Sequence, residues 1–123
     1  MEKDSLTQTV ISSAIEVHKA LGPGLLESSY EHCLMYELSK AGLDVKRQIT
    51  LPIVYKGVRI DAGYRLDLLI PNKLIIEIKS VDRFAPIHTA QVISYLRLSN
   101  IKTGLLINFS VDRLVKGIKR VSL

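Results

Sequence analysis

With 123 residues, 47% of them hydrophobic, and a mean hydropathy of +0.20, the chain can build one domain, residues 1–123, around its own core. Its single cysteine, Cys33, excludes an intramolecular disulfide and a cysteine-rich zinc site, which points to a reducing cytoplasm. No apolar run approaches a membrane span, the opening MEKDSLTQ is too polar for a signal peptide, and there are no repeats or long linkers.

The net charge of +5 is unevenly spread. Residues 1–44 hold seven acids and three bases, whereas residues 45–123 hold five acids and fourteen bases. A basic surface of this kind suits a polyanion partner, although charge alone also describes an ordinary soluble surface.

In chain order, Ser5-x-x-Gln8 reads as a capping box, and Val10, Ile11, Ala14, Ile15 and Leu21 follow helical spacing, so a helix is expected from about Leu6 to Leu21. Gly22-Pro23-Gly24 stops it and reads as a tight corner, since no Gly-Lys-Ser/Thr follows to make a phosphate-binding loop. A second helix is expected from about Leu25 to Ala41, with Leu26, Tyr30, Cys33, Leu34 and Leu38 on its apolar stripe and Gly42 as its stop. Glu27 lies in its first turn, where the helix dipole favours a carboxylate. His18 and His32 lack partners at metal-ligand spacing and read as surface or partly packed residues.

Residues 48–55 (QITLPIVY) read as a strand, placed at an edge by Pro52. Lys56-Gly57 is a turn, and Val58 to Ile70 reads as a longer strand bent at Gly63. Leu74 to Lys79 follows after a break at Pro71-Asn72, completing an antiparallel meander. Val81 to Ala85 reads as a loop, and a third helix is expected from Pro86 to about Ser99. On it His88, Gln91 and Tyr95 share a polar stripe, while Ala90, Ile93 and Leu96 can face the core. Thr103 to Phe109 reads as a buried strand, parallel to Leu74–Lys79 because a helical crossover joins them. The basic tail from Asp112 to Leu123 ends in a short strand or turn.

The hairpin from Arg65 to Ser80 carries the chemistry. A turn at Pro71-Asn72 brings Asp67 close to opposite Glu77, and the two-residue period of a strand puts Lys79 on the same face as Glu77. Leu74, Ile75, Ile76 and Ile78 mark a buried strand, where charges are costly unless paired or metal-bound. A structural ion pair would explain a bare D…ExK match. A hard divalent cation explains it better in this setting, because Asp67 and Glu77 are oxygen donors of the kind that Mg²⁺ or Mn²⁺ prefers. No Ser-His-acid set can be assembled, which disfavours a serine hydrolase.

Gly24-Leu-Leu-Glu27-Ser-Ser-Tyr30, within LGPGLLESSY, resembles the signature of the GxxExxY family of small prokaryotic proteins. Asp67 with Glu77-Ile78-Lys79 resembles the catalytic motif of the PD-(D/E)xK nuclease-like superfamily, in which that family is placed. The likeness runs on through AQVISYL (Ala90 to Leu96), GLLINF (Gly104 to Phe109) and GIKR (Gly117 to Arg120). It implies an α/β fold, a small mixed sheet flanked by helices in the restriction-endonuclease-like αβββαβ order, with an extra N-terminal helix.

It also implies a metal-dependent phosphodiesterase acting on nucleic acid, with DNA the expected form. Glu27, Asp67, Glu77 and the Ile78 carbonyl would hold Mg²⁺, with Mn²⁺ as the alternative, and Lys79 would be the catalytic lysine. Gln91 and Tyr95 resemble substrate-positioning residues of some superfamily nucleases. Arg65-Leu66, with no proline, precede Asp67, a departure from the superfamily's usual text. The alternatives are a non-catalytic nucleic-acid-binding module and a protein-interaction module on the same fold. A homodimer would suit a long or branched substrate.

Overall fold

The computed structural model describes residues 3–123, with the side chains of residues 3 and 4 left out of that description. Helix α1 spans Lys3–Leu21, so Ser5 lies inside the first turns and does not cap them. Val10 and Ala14 are fully buried on its inner face. Gly22 and Gly24, at φ 69° and 99°, turn the chain through a conformation that L side chains rarely adopt. Helix α2, Glu27–Lys40, then buries Tyr30, Leu34 and Leu38. Leu26, expected on that stripe, precedes the helix as its N-cap and is 77% exposed.

The chain then makes β1 (Lys46–Thr50), β2 (Ile53–Tyr55), β3 (Val58–Ile60), β4 (Arg65–Ile70) and β5 (Leu74–Lys79). The segment expected as one strand breaks at Leu51-Pro52, because proline has no N–H to continue the ladder. Leu51 still donates to the Tyr64 carbonyl at 2.8 Å, after which β2 and β3 leave as a separate hairpin. The next expected strand likewise divides into β3 and β4. Asp61 accepts the Gly63 N–H at 3.2 Å, and Gly63 sits at φ 81°.

Helix α3 runs from Pro86 to Ser99, as its sequence predicts, and β6 (Thr103–Asn108) returns parallel to β5. A 3-10 turn at Leu114–Gly117 leads into β7, Ile118–Ser122, antiparallel to β6. A Cβ on Gly117 would overlap the Asn108 carbonyl oxygen, so only glycine admits this close approach. The sheet order is β1-β4-β5-β6-β7, antiparallel except for β5–β6. With α2 as the first core helix, β1, β4, β5, α3 and β6 complete the αβββαβ order, and α1 is the additional helix.

The sheet is the middle of three layers. Leu68, Ile70, Leu74, Ile76, Ile78 and Ile107 pack with Val10, Ala14, Tyr30, Leu34 and Leu38 of the first two helices. Leu66, Ile75, Leu106 and Val121 pack against Val92, Tyr95 and Leu96 of α3. Ala90, expected in that core, is exposed: the buried stripe is Val92, Tyr95 and Leu96, and Ala90 falls off it. His18 is more buried than expected, with Nε2 2.8 Å from the Val111 carbonyl. Among the described residues, no helix is long and apolar enough to cross a membrane.

Candidate active site

Strand β5 alternates faces. Leu74, Ile76 and Ile78 point to the α1–α2 layer, whereas Ile75 points to the α3 layer, and the same period carries Glu77 and Lys79 to Ile75's side. The β4–β5 ladder pairs Ile70 with Leu74, Leu69 with Ile75 and Leu68 with Ile76. The next pair in that register is Asp67 with Glu77, and there side chains take over from the backbone. The Asp67 N–H donates to Glu77 Oε2 at 2.9 Å, and the Ile78 N–H donates to Asp67 Oδ2 at 2.8 Å.

The other edge of β4 is interrupted at the same place. Its register with β1 runs from Arg47↔Leu68 to Ile49↔Leu66 and skips Gln48 and Asp67. Gln48 has φ 54°, a strained value for a residue other than glycine. Asp67 therefore stands at a gap in the sheet with both neighbouring ladders open.

Burial is the chief reason that the pKa values of both carboxyls are raised. Glu77, 5% exposed, is pushed up to about 9, first by desolvation and then by the Asp67 charge. Asp67 is raised as well, again mainly by burial; the Ile78 N–H opposes the rise and the Glu31 charge adds to it. The two carboxyls hydrogen-bond to each other, and the Lys79 ammonium draws both values down more weakly. Lys79 makes no side-chain hydrogen bond or ion pair among the described residues.

Glu27 stands close to this strand without joining the pair. Its Oε2 accepts the Ser80 N–H at 3.2 Å, and Ser80 Oγ donates to the Leu25 carbonyl at 2.9 Å. The Tyr30 hydroxyl, in turn, donates to the Gly22 carbonyl at 2.6 Å and accepts the Leu25 N–H at 3.1 Å. The ring of Tyr30 stacks on Phe109 at 4.4 Å. The Gly24–Tyr30 segment thus clasps the end of β5 directly after Lys79. Asn108 holds the next residue, with its side-chain amide paired to both the N–H and the carbonyl of Val81.

A groove of ≈480 Å³ brings Glu27, Asp67 and Arg65 together with Glu31, Arg47 and Gln48. Glu31 has no partner within its own sequence neighbourhood. It is 5% exposed and held by Arg47 at 2.8 Å and by the Gln48 amide at 2.8 Å. The available signal was its place beside Tyr30 and three residues before Leu34, a charge on a buried stripe. Gln91 and Tyr95 line a separate groove, ≈530 Å³, on the α3 side. Tyr95 connects the two regions: burial raises its hydroxyl pKa first, and the Glu77 and Asp67 charges add to that rise. His88 is not at the acid pair; its Nδ1 accepts the Ala85 N–H at the start of α3.

The donor chemistry of Asp67 and Glu77 fits a hard divalent cation. Each carboxylate is oriented by a backbone N–H, and the two lie within hydrogen-bonding reach of each other, so one cation could take oxygens from both. Among the described residues, no group of three or more His, Cys, Asp and Glu side chains is gathered closely enough to hold a metal. The pair therefore forms the centre, and Glu27 borders it.

Over residues 4–121 the chain matches the PD-(D/E)XK nuclease superfamily. The solved structure of SSO0001 is similar in fold, with a TM-score of 0.51 and 18% sequence identity, covering 95% of this chain and 77% of that one. No curated protein matches the chain.

Proposed function

The chain belongs to the PD-(D/E)XK nuclease superfamily, and on that footing we propose that it is a divalent-metal-dependent nuclease, hydrolysing phosphodiester bonds of DNA at Asp67, Glu77 and Lys79. The observation that carries this reading is the Asp67–Glu77 carboxyl pair, with Glu77 buried and Asp67 half-buried at a break in the sheet and the Lys79 ammonium nearby. Two acids forced together in a core cost stability unless a cation or a substrate uses them.

Asp67, Glu77 and the Ile78 carbonyl would hold Mg²⁺ or Mn²⁺, with Glu27 as the further acid beside them. Bound there, the ion supplies charge for a phosphate oxygen and acidifies a water. Lys79 offers an unpaired ammonium for the negative charge that develops on the phosphorus oxygens. Arg65, in the same groove as Asp67, suits a flanking phosphate. Gln91 and Tyr95 would position the nucleotide from the α3 side. Cys33, the free cysteine, is consistent with work in a reducing cytoplasm.

The test is Mg²⁺- or Mn²⁺-dependent cleavage of a panel of DNA and RNA substrates. Lys79→Ala should lower the rate by ~10²–10³-fold, the scale of losing one group that stabilises transition-state charge. Glu77→Gln should reduce cleavage to the level seen with chelator. Folded wild-type protein that binds the panel without cutting it would replace this reading with a binding module. Neither cutting nor binding would favour a protein-interaction domain.

A further inference from the structure

The β2–β3 hairpin stands outside the main sheet as two strands of three residues each. Its register pairs Ile53 with Ile60 and Tyr55 with Val58, so these four side chains share one face, and Val54 and Arg59 share the other. On the apolar face Tyr55, Val58 and Ile60 are all exposed. Ile53 carries that face into the ≈530 Å³ groove, where Ile87 and Leu98 of α3 form the other wall. A two-stranded hairpin is marginal in water without something packed on it. A continuous apolar patch of several hundred Å² marks an interaction surface.

We infer that this patch is the interface of a two-fold homodimer, in which the hairpin of each copy seats in its partner's groove between hairpin and α3. A second copy is favoured by shape and area. The patch carries a projecting element and a groove side by side, which is the self-complementarity that a two-fold interface needs. Tyr55, Val58, Ile60, Tyr64, Ile87 and Leu98 leave roughly 600 Å² exposed, close to the ~800 Å² that each partner gives to a standard interface. Among the described residues, Arg97 is the one charged side chain lining the groove, and the Lys56 ammonium lies over the Tyr55 ring on the hairpin. Because Gln91 and Tyr95 also line this groove, the seated hairpin borders the side chains that would position the nucleotide of the opposite copy.

Sedimentation velocity on the full chain tests this. The wild type should run at twice its 13.8 kDa mass at micromolar concentration. Val58→Glu in the hairpin and Ile87→Glu in the groove should each raise the dimer dissociation constant at least ~100-fold, with far-UV circular dichroism unchanged. Mild oxidation of an equal mixture of Val58→Cys and Leu98→Cys chains should give a disulfide-linked pair of the two variants, and this decides the matter if the glutamate variants unfold. A wild type that stays monomeric to 100 µM (roughly ten times a weak dimer's midpoint) overturns the inference. So does a dimer indifferent to both glutamates, or an unlinked cysteine mixture. A monomer whose hairpin variants lose oligonucleotide affinity overturns it too, by giving the patch to nucleic acid.

Discussion

Glu77 keeps a proton far above the pH at which a glutamate in water releases it, and this ties the candidate chemistry to stability. Its pKa is about 9 in the folded protein against 4.5 for the free side chain, because burial and the neighbouring Asp67 disfavour the charge. Between those values the folded state binds more protons than the unfolded state, so metal-free stability falls as pH rises from about 4.5 to about 9. The raised Asp67 adds to the fall. Glu77→Gln keeps the shape and removes the charge. In chelator at pH 8 it should melt roughly 5 °C or more above the wild type, with the difference shrinking toward pH 5. A thermal-denaturation series across this range checks it; equal melting at both ends would mean that the pair is not strained. Magnesium should raise the wild-type melting temperature at pH 8 and leave Glu77→Gln nearly unmoved.

At the scale of elements, the Gly24–Tyr30 segment works through its hydroxyl and carboxylate. Tyr30→Phe preserves the stacking on Phe109 and deletes both hydrogen bonds that hold the Gly22–Leu25 corner. Leaving the Leu25 N–H and the Gly22 carbonyl without their partner should cost about 1–3 kcal/mol, read by urea denaturation. The loss should also loosen Ser80, which the corner holds through Leu25, and lower cleavage more than the stability change alone predicts. The elements themselves were legible where local signals agreed. Pro71-Asn72 between apolar runs marks the hairpin and brings Asp67 close to opposite Glu77, and the two-residue period puts Lys79 on the face of Glu77. Pro86 marked the start of α3. The breaks at Leu51-Pro52 and Asp61–Tyr64 show in the sequence only as an edge marker at Pro52 and a bend at Gly63, since the β-branched runs on either side read as continuous. Glu31 was missed because its partners, Arg47 and Gln48, lie on a different element and its own spacing names neither of them.

Across the whole molecule, acids and bases are sorted by position in a way that predicts how binding responds to salt. The carboxyl pair sits at the middle of the sheet, with Arg65 in the groove that Asp67 lines, while Arg113, Lys116 and Lys119 lie around the β7 edge. A phosphate backbone meeting such a surface releases condensed counterions, and the affinity then falls as a power of the salt concentration. Contacts to roughly four phosphates would give a slope near −3.6 in log affinity against log salt for duplex DNA. If Arg65, which lines the groove with Asp67, holds one phosphate as proposed, Arg65→Ala should weaken binding about equally for all sequences and reduce that slope by about one unit. Titrations of a fluorescent duplex between 50 and 200 mM salt (about the range over which such slopes are resolved), in chelator, isolate this electrostatic part from the metal site. A slope that Arg65→Ala leaves unchanged would place the nucleic acid away from the Asp67 groove, and the acid pair would then lack a substrate within its reach.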